Sequence, residues 1–139
     1  MGILNKLFGS GGPEKPGKVN AIFDEDFEME VMKSDLPVVV DFWATWCMPC
    51  QVMGGLMSEL AKEYAEKVKV FKMNVDQCRE TAQSFGIRSI PTVIFFHHGK
   101  PVDQVVGLLP KDELMRKFDA LYNVMEREKT SFTESESKG

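Results

Sequence analysis

The sequence predicts a single α/β domain in which helices cover both faces of a mixed β-sheet. Apolar β-branched runs of strand length alternate with segments of helical spacing, and the last two strand-like runs are joined by a short turn. Strand–helix–strand units give parallel neighbours, whereas a short turn gives an antiparallel hairpin. A chain of 139 residues suits one domain with a sizeable core.

The first half of the predicted domain contains two strands and two helices. A short strand over residues 19–22 precedes a helix over residues 24–33, for which Asp24 can serve as the N-cap. An uninterrupted apolar run over residues 38–43 predicts a strand that is buried on both faces. The longest predicted helix follows over residues 48–66 and turns methionine, leucine and tyrosine side chains toward the core.

The second half of the predicted domain adds three strands and two helices. The strands cover residues 68–75, 92–96 and 102–106, and the helices cover residues 78–85 and 111–126. Gly86 is expected to end the shorter helix, because glycine adopts the left-handed conformation of a C-terminal cap. The sequence His97-His98-Gly99-Lys100 predicts the hairpin turn between the last two strands.

Two segments of different composition flank this domain. Residues 1–18 contain a Gly/Pro/Ser-rich stretch, which predicts a flexible N-terminal extension. Residues 127–139 are polar and rich in Ser, Thr and Glu, which predicts a disordered tail. The domain itself is therefore expected to span residues 19–126.

The charge and the hydropathy of the chain argue against several function classes. A formal net charge of −4 without a basic cluster disfavours nucleic acid as a partner. No apolar run approaches the roughly 20 residues that span a bilayer, and no segment has the apolar core of a signal peptide. We therefore expect a cytoplasmic protein without stable membrane insertion.

The sequence Trp46-Cys47-Met48-Pro49-Cys50 places two thiols three positions apart at the start of the long helix. They share one helical face and can reach disulfide distance. Free N–H groups and the positive end of the helix dipole stabilise a thiolate there, which predicts Cys47 as the attacking sulfur. Cys50 lies one turn deeper, so we expect it to be more buried and to resolve the mixed disulfide.

Two charged residues interrupt the predicted central strands. Asp41 lies in the strand over residues 38–43, and Lys72 lies in the strand over residues 68–75. Burial raises the pKa of a carboxyl group, and a neighbouring lysine offsets part of the cost. Asp41 just precedes the thiol pair, so it can exchange a proton with Cys50 directly or through water. A structural ion pair without a catalytic role explains the spacing equally well.

Four ordered segments of the chain resemble the thioredoxin family. A lone Cys-x-x-Cys is weak support, but four segments in the family's order and spacing are specific. They cover residues 40–50, 72–76, 85–92 and 106–107. The resemblance extends over roughly residues 19–125 and implies the thioredoxin fold, a central five-stranded mixed β-sheet flanked by four helices.

The resemblance implies a protein-disulfide reductase in which Cys47 and Cys50 alternate between a dithiol and a redox-active disulfide. It makes Asp41 the buried carboxylate behind this pair and Lys72 its partner. In the family, electrons come from a thioredoxin reductase and pass to oxidised client proteins, so we expect no bound cofactor. We also expect the protein to be a monomer.

The resemblance also implies a shallow apolar substrate groove beside the thiol pair. The Ile90–Pro91 bond is expected to be cis, with Pro91 against the cysteines and the backbone of Ile90 available to pair with a substrate chain. The expected substrate-binding residues are Trp46, Met48, Pro49, Ile90, Pro91 and Gly107.

The chain departs from the family pattern at Met48, at Gly54-Gly55 and at Ser89, which replaces a common glycine. Met48 stands where glycine is usual, and Gly54-Gly55 stands where the long helix usually has a proline. The residues between the cysteines tune the redox potential in this family, so the resemblance does not fix its value here. We hypothesise that Met48 changes substrate preference more than it changes the reaction, because it adds soft apolar surface beside the thiolate.

Three function classes remain open from the sequence. A reducing thiol–disulfide oxidoreductase is favoured. Disulfide oxidase or isomerase chemistry is disfavoured by Asp41 and Lys72, and a non-catalytic binding module does not need two cysteines.

We expect Cys78 to be a spectator thiol, with an intermolecular disulfide as the alternative. His97 and His98 are expected to be solvated turn residues remote from Cys47, so no metal site is predicted.

Overall fold

A computed structural model describes residues 15–138 and contains a five-stranded sheet in the order β1-β3-β2-β4-β5. The strands are β1 Val19–Ala21, β2 Val38–Trp43, β3 Lys69–Asn74, β4 Thr92–His97 and β5 Lys100–Val106. Strands β1 and β2 run parallel to β3, whereas β4 runs antiparallel to both β2 and β5. The predicted mixed sheet is therefore confirmed.

Four helical segments flank the sheet, as predicted, and three of them are α-helices. These are α1 Met48–Glu63, α2 Arg79–Ser84 and α3 Lys111–Lys138. The segment between β1 and β2 consists instead of a 3₁₀ turn, Asp24–Asp26, followed by a π-helical turn, Glu28–Met32. Within residues 15–138, no helix combines the length and the apolar character that crossing a bilayer requires.

The predicted capping role of Asp24 is wrong for its own segment. Asp24 lies inside the 3₁₀ turn, and the residue that precedes the turn is Phe23, whose N–H donates to Asp26 Oδ2 at 2.9 Å. The Asp24 carboxylate instead accepts hydrogen bonds from the N–H groups of Glu80 and Thr81 at the start of α2. It therefore caps a different helix, because the fold brings α2 beside the 3₁₀ turn.

Helix α3 continues beyond residue 126, where the sequence pattern predicts its end. Glu, Arg and Lys follow in alternation, and these residues have high helix propensity. Glu128 also contacts His97 and His98, which lie at the turn between β4 and β5. The predicted tail from residue 127 is thus helical as far as Lys138. Residues 1–14 of the predicted N-terminal extension lie outside the described residues.

The core lies on both faces of the sheet, and β2 is buried on each. Alternate side chains of a strand point to opposite faces, so Val38 and Val40 pack against the first helical segment and α2, while Val39 packs against α1 and α3. This confirms the prediction from the uninterrupted apolar run. The two-sided packing holds the carboxyl end of β2 in place, where the thiol loop begins.

The β4–β5 hairpin has a tight two-residue turn at His98-Gly99. Both residues have positive φ angles, 50° and 77°, which is the signature of the turn type favoured in hairpins. Glycine is required at position 99, because a Cβ there would lie 2.6 Å from the carbonyl oxygen of Met32.

Candidate active site

The thiol pair lies where β2 passes into α1. Cys47 is the N-cap of α1, with extended backbone angles, and its Sγ accepts a hydrogen bond from the backbone N–H of Cys50 at 3.3 Å. Pro49 occupies the first turn, where its missing N–H leaves no helical hydrogen bond unmade. The local sequence thus directs the free N–H groups of the helix toward the sulfur of Cys47.

Cys47 and Cys50 form a disulfide, with their Cα atoms 5.2 Å apart. This separation is typical of disulfides. Cys50 is the more buried of the two, with 2 % of its surface exposed against 6 % for Cys47. The expected order of burial is therefore confirmed.

The Ile90–Pro91 peptide bond is cis, as the resemblance implies. The carbonyl oxygen of Ile90 lies 3.8 Å from Cys47 Sγ, so this loop lies directly against the disulfide. The N–H of Gly107 donates to the carbonyl oxygen of Pro91 at 2.8 Å, which fixes the end of β5 to the same loop. Three of the predicted groove residues are thereby brought together from distant parts of the sequence.

Exposed apolar side chains surround the buried sulfurs. Met48 is 77 % exposed and Trp46 is 68 % exposed, and both lie next to Cys47 in the sequence. The Trp46 indole N–H donates to Asp76 Oδ2 at 2.8 Å, which orients the ring. Asp76 is a site residue that the sequence reasoning missed, because its partner is 30 positions away and no local pattern links them.

Asp41 and Lys72 are neighbours in the β2–β3 register, as predicted. Asp41 is 2 % exposed, and its Oδ1 has no hydrogen-bond partner within the described part of the chain. Burial raises the pKa of Asp41 to about 7, although the positive charge of Lys72 acts in the opposite direction. The Lys72 ammonium also lies 5.1 Å from the centre of the Trp43 ring. The carboxyl group can therefore gain or lose a proton near neutral pH.

The side chain of Asp41 lies on the face of the sheet that α1 covers. It alternates with Val40 and therefore shares the face of Val39, which packs against α1 and α3. The first turn of α1 contains Cys50. Asp41 and the deeper cysteine are thus on the same side of β2, which is the arrangement that proton exchange between them requires.

His97 and His98 lie at the opposite end of β4 from Pro91, remote from the thiol pair as expected. His98 is exposed, but the His97 side chain is only 13 % exposed, so the prediction of a solvated residue is wrong for His97. Its ring borders a groove of about 190 Å³ between β5 and α3, which Leu121 and Val124 also line. Both histidines contact Glu128, a residue that the sequence pattern assigns to the tail.

Comparison with known proteins identifies the family. A family model described as Thioredoxin matches residues 18–120. The chain belongs to the thioredoxin family. It is 47 % identical to a thioredoxin of Rickettsia prowazekii (strain Madrid E) over 97 residues, which cover 70 % of this chain and 92 % of that protein.

Two further relatives are similar to this chain over most of its length. Thioredoxin 1 of Synechococcus elongatus is 46 % identical over 99 residues, which cover 71 % of this chain and 92 % of that protein. A protein of Pisum sativum described as "Thioredoxin M-type, chloroplastic" is 45 % identical over 106 residues, 76 % of this chain and 62 % of that protein. These thioredoxins and the Cys47–Cys50 pair show that the chain is a thiol–disulfide oxidoreductase of the protein-disulfide reductase type.

Proposed function

We propose that the chain reduces protein disulfides in two successive exchanges, with Cys47 as the nucleophile and Cys50 as the resolving thiol. The Cys47 thiolate attacks one sulfur of the substrate disulfide, so a mixed disulfide forms and the other substrate sulfur leaves as a thiolate that takes up a proton. The Cys50 thiolate then attacks Cys47 Sγ. This step releases the second substrate thiol and leaves the Cys47–Cys50 disulfide.

The position of Cys47 at the N-cap of α1 carries this assignment. Its sulfur accepts the Cys50 N–H and lies at the positive end of the helix dipole, and both interactions favour the thiolate over the thiol. Cys47 is also the less buried residue of the pair. A nucleophile must be ionised and reachable, and Cys47 meets both conditions better than Cys50.

Asp41 is the proton acceptor for Cys50 in this proposal. The second exchange requires the Cys50 thiol to lose a proton, and a carboxyl group with a pKa near 7 on the same face of the sheet can take it. Lys72 acts as a positioning residue, because its positive charge keeps the pKa of Asp41 from rising further. When the reductase reduces the Cys47–Cys50 disulfide again, Asp41 can return a proton to the Cys50 thiolate.

The substrate surface combines the exposed residues beside Cys47 with the cis-proline loop. An extended substrate segment that lies along Ile90 places its disulfide next to Cys47 Sγ, since the Ile90 carbonyl oxygen is 3.8 Å from that sulfur. Apolar contacts on both sides of the sulfur would hold such a segment. The residues assigned to this surface are Trp46, Met48, Pro49, Ile90, Pro91 and Gly107.

The remaining parts of the proposal concern partners and location. A thioredoxin reductase supplies the electrons, oxidised proteins receive them, and no bound cofactor takes part. We assign the chain to the cytoplasm as a monomer. Membership of the thioredoxin family and the bacterial relatives support these assignments.

A redox equilibrium tests the direction of the reaction. The chain is equilibrated with glutathione buffers, and the fractions with a Cys47–Cys50 dithiol and with the disulfide are measured by mass spectrometry after acid quenching. A potential below that of the cellular glutathione pool supports a reductant. A potential above it would indicate an oxidase, and the absence of a redox transition would indicate a binding module.

A Cys50→Ser variant tests the division of labour between the two thiols. The first exchange remains possible, but the mixed disulfide can no longer be resolved, so an adduct on Cys47 should accumulate. Peptide mapping identifies the modified cysteine. Rapid turnover by this variant, or no adduct at Cys47, would contradict the assigned roles.

A Met48→Gly variant tests the part of the surface that departs from the family. Met48 is 77 % exposed, so its removal leaves the core unchanged but takes away apolar surface beside Cys47. We expect the relative rates on several protein disulfides to change more than the redox potential. Equal rates and an equal potential in both forms would refute the hypothesis.

A further inference from the structure

Two histidines and a glutamate meet at the end of the molecule that the thiol chemistry does not use. His97 Nε2 lies 3.0 Å from Glu128 Oε1, and His98 Nε2 lies 3.3 Å from Glu128 Oε2. One ligand atom from each of the three residues lies within 4.8 Å of those of the other two. Nδ1 of His97 is buried, so Nε2 is the atom that this ring presents to the cluster.

The hairpin turn explains how two consecutive residues reach the same carboxylate. Neighbouring side chains of a regular strand point to opposite faces. His98 has a positive φ of 50°, which takes its side chain out of that alternation, and the two imidazole centres lie 4.3 Å apart. Helix α3 supplies the third group because it continues past residue 126.

The geometry points to a site for a divalent transition-metal ion, represented by Zn²⁺, with His97, His98 and Glu128 as its protein ligands. Imidazole nitrogen and carboxylate oxygen are ligands that zinc, nickel and copper accept. Two imidazoles and one carboxylate form a recurrent zinc ligand set that leaves a coordination position for water. This site is independent of the thiol chemistry proposed above.

A zinc ion would draw the three ligand atoms closer together. Ligand atoms around a tetrahedral zinc ion lie roughly 3.3 Å apart, since each is about 2.0–2.1 Å from the metal. The nitrogen–oxygen distances of 3.0 and 3.3 Å involve different oxygens of Glu128, and one ligand atom from each residue lies within 4.8 Å of the other two. The His98 and Glu128 side chains are 58 % and 55 % exposed, so they can move to close the remaining gap.

A metal ion here would join the β4–β5 turn to the C-terminal half of α3. The site lies at one end of β4, and the cis-proline loop lies at the other, roughly 20 Å away for a strand of this length. Metal binding should therefore leave disulfide reduction unchanged. Its direct consequence is the attachment of α3, at Glu128, to the β4–β5 turn of the sheet.

Zinc titration of the oxidised full-length chain without a histidine tag tests this proposal. Oxidation removes the Cys47 and Cys50 thiolates as competing ligands, and Cys78 is fully buried. Binding is measured by competition with a chromophoric zinc chelator, and its stoichiometry by equilibrium dialysis. We expect one ion per chain and a higher unfolding temperature with zinc.

Two variants remove one ligand each and keep the fold. In His98→Asn, the new asparagine tolerates the positive φ of the turn. Glu128→Gln changes one exposed side chain. Each should weaken zinc binding by about 10–100-fold, a range measured even for residues that only support a ligand. Glu126→Gln makes the same charge change on the same helix and should leave the affinity within about twofold.

The outcomes separate clearly. No saturable binding to the wild-type chain would overturn the proposal. Wild-type affinity in either His98→Asn or Glu128→Gln would also overturn it, because the ion would then be bound elsewhere. Unchanged disulfide reduction by both variants confirms that they are folded.

Discussion

Cys47 and Cys78 each stand immediately before a helix, but their surroundings differ. Cys47 Sγ accepts a hydrogen bond from the first turn of α1, whereas the Cys78 side chain makes no such bond to α2. Cys78 is fully buried, and burial, followed by the negative charges of Asp24 and Glu25, raises its pKa to about 11. A position at a helix N-terminus is therefore not sufficient to activate a thiol.

The carboxylates in the two regions explain much of this difference. Asp24 accepts hydrogen bonds from Thr81 N at 2.9 Å, from Thr81 Oγ1 at 2.6 Å and from Glu80 N at 3.2 Å. Partial burial works against ionisation, but these bonds lower the pKa of Asp24. Asp24, and not Cys78, therefore accepts the hydrogen bonds of the free N–H groups at the start of α2. Asp41 has an unpartnered oxygen and a raised pKa, so it remains able to exchange a proton.

The largest expected effect separates the two cysteines. Cys47→Ser should abolish nearly all reduction of a protein disulfide, because a serine hydroxyl is not ionised near neutral pH and cannot form the mixed disulfide. Cys78→Ala should keep wild-type rates. Both are measured as initial rates with a protein disulfide under a chemical reductant.

Alkylation of the reduced native protein provides a control for this contrast. Iodoacetamide should modify Cys47 and leave Cys78 unmodified until the chain is unfolded, since Cys78 is inaccessible and has a pKa of about 11. Equal labelling of both thiols in the native protein would show that the difference in their environments has been misjudged.

The next largest effect is on stability, and it distinguishes the two carboxylates. The pKa of Asp41 is about 7 in the folded chain and 3.8 in the reference state. The folded chain binds the Asp41 proton more tightly than the unfolded chain does. This difference stabilises the fold fully below pH 3.8, and the stabilisation is lost as the pH rises through 7. Asp41→Asn stays neutral throughout, so it should be more stable than wild type by up to about 4 kcal/mol above neutral pH.

Urea unfolding of both forms at mildly acidic and mildly alkaline pH measures this effect. The advantage of Asp41→Asn should be small near pH 4 and should vanish well below pH 3.8, where the wild-type carboxyl group is neutral in both the folded and the unfolded state. An advantage of the same size at both pH values would indicate that packing, not charge, is the cause.

Asp24→Ala should lower the free energy of unfolding, whereas Asp41→Asn should raise it, and the change should be smaller. It removes the acceptor for the first N–H groups of α2, a loss that costs about 0.5–2 kcal/mol for N-cap residues. The pKa of Asp24 is lowered in the folded chain, so this stabilisation is present above pH 3.8 and is lost as the pH falls below it. Glu25→Ala, which changes an exposed neighbouring acid, is the control for urea unfolding. Equal stability of Asp24→Ala and wild type would show that Asp24 does not stabilise α2 as a cap.

The features that sequence alone could predict are those that depend on short-range patterns. The apolar run of β2 predicts two-sided burial, and the spacing of Cys47 and Cys50 at a helix start predicts their disulfide and their order of burial. The cis bond at Pro91 came only from the family resemblance, because cis bonds make up only about 5–6 % of X–Pro bonds.

The features that sequence reasoning missed are contacts between distant residues. Asp24 caps α2 across 57 positions, and Trp46 donates to Asp76 across 30. Glu128 meets His97 across 31 positions, and composition had assigned it to a disordered tail. Sheet order and helix length determine these contacts, and the local pattern of apolar and polar residues predicts neither.

The smallest expected effect tests whether α1 influences Cys47 beyond its first turn. Gly55 is exposed in the middle of α1, and an added Cβ there meets no atom within 4 Å. Gly55→Ala should therefore stabilise the chain by up to about 1 kcal/mol through helix propensity.

Gly99→Ala is the matched control for that variant, because it combines a φ of 77° with a 2.6 Å approach to Met32, and it should destabilise the chain. Both variants are compared with wild type by urea unfolding and by redox equilibrium with glutathione. If only the N-cap hydrogen bond and the adjacent N–H groups activate Cys47, Gly55→Ala will raise the unfolding free energy and leave the redox potential unchanged. A shifted potential would mean that the stability of the whole helix, and not its first turn alone, distinguishes Cys47 from Cys78.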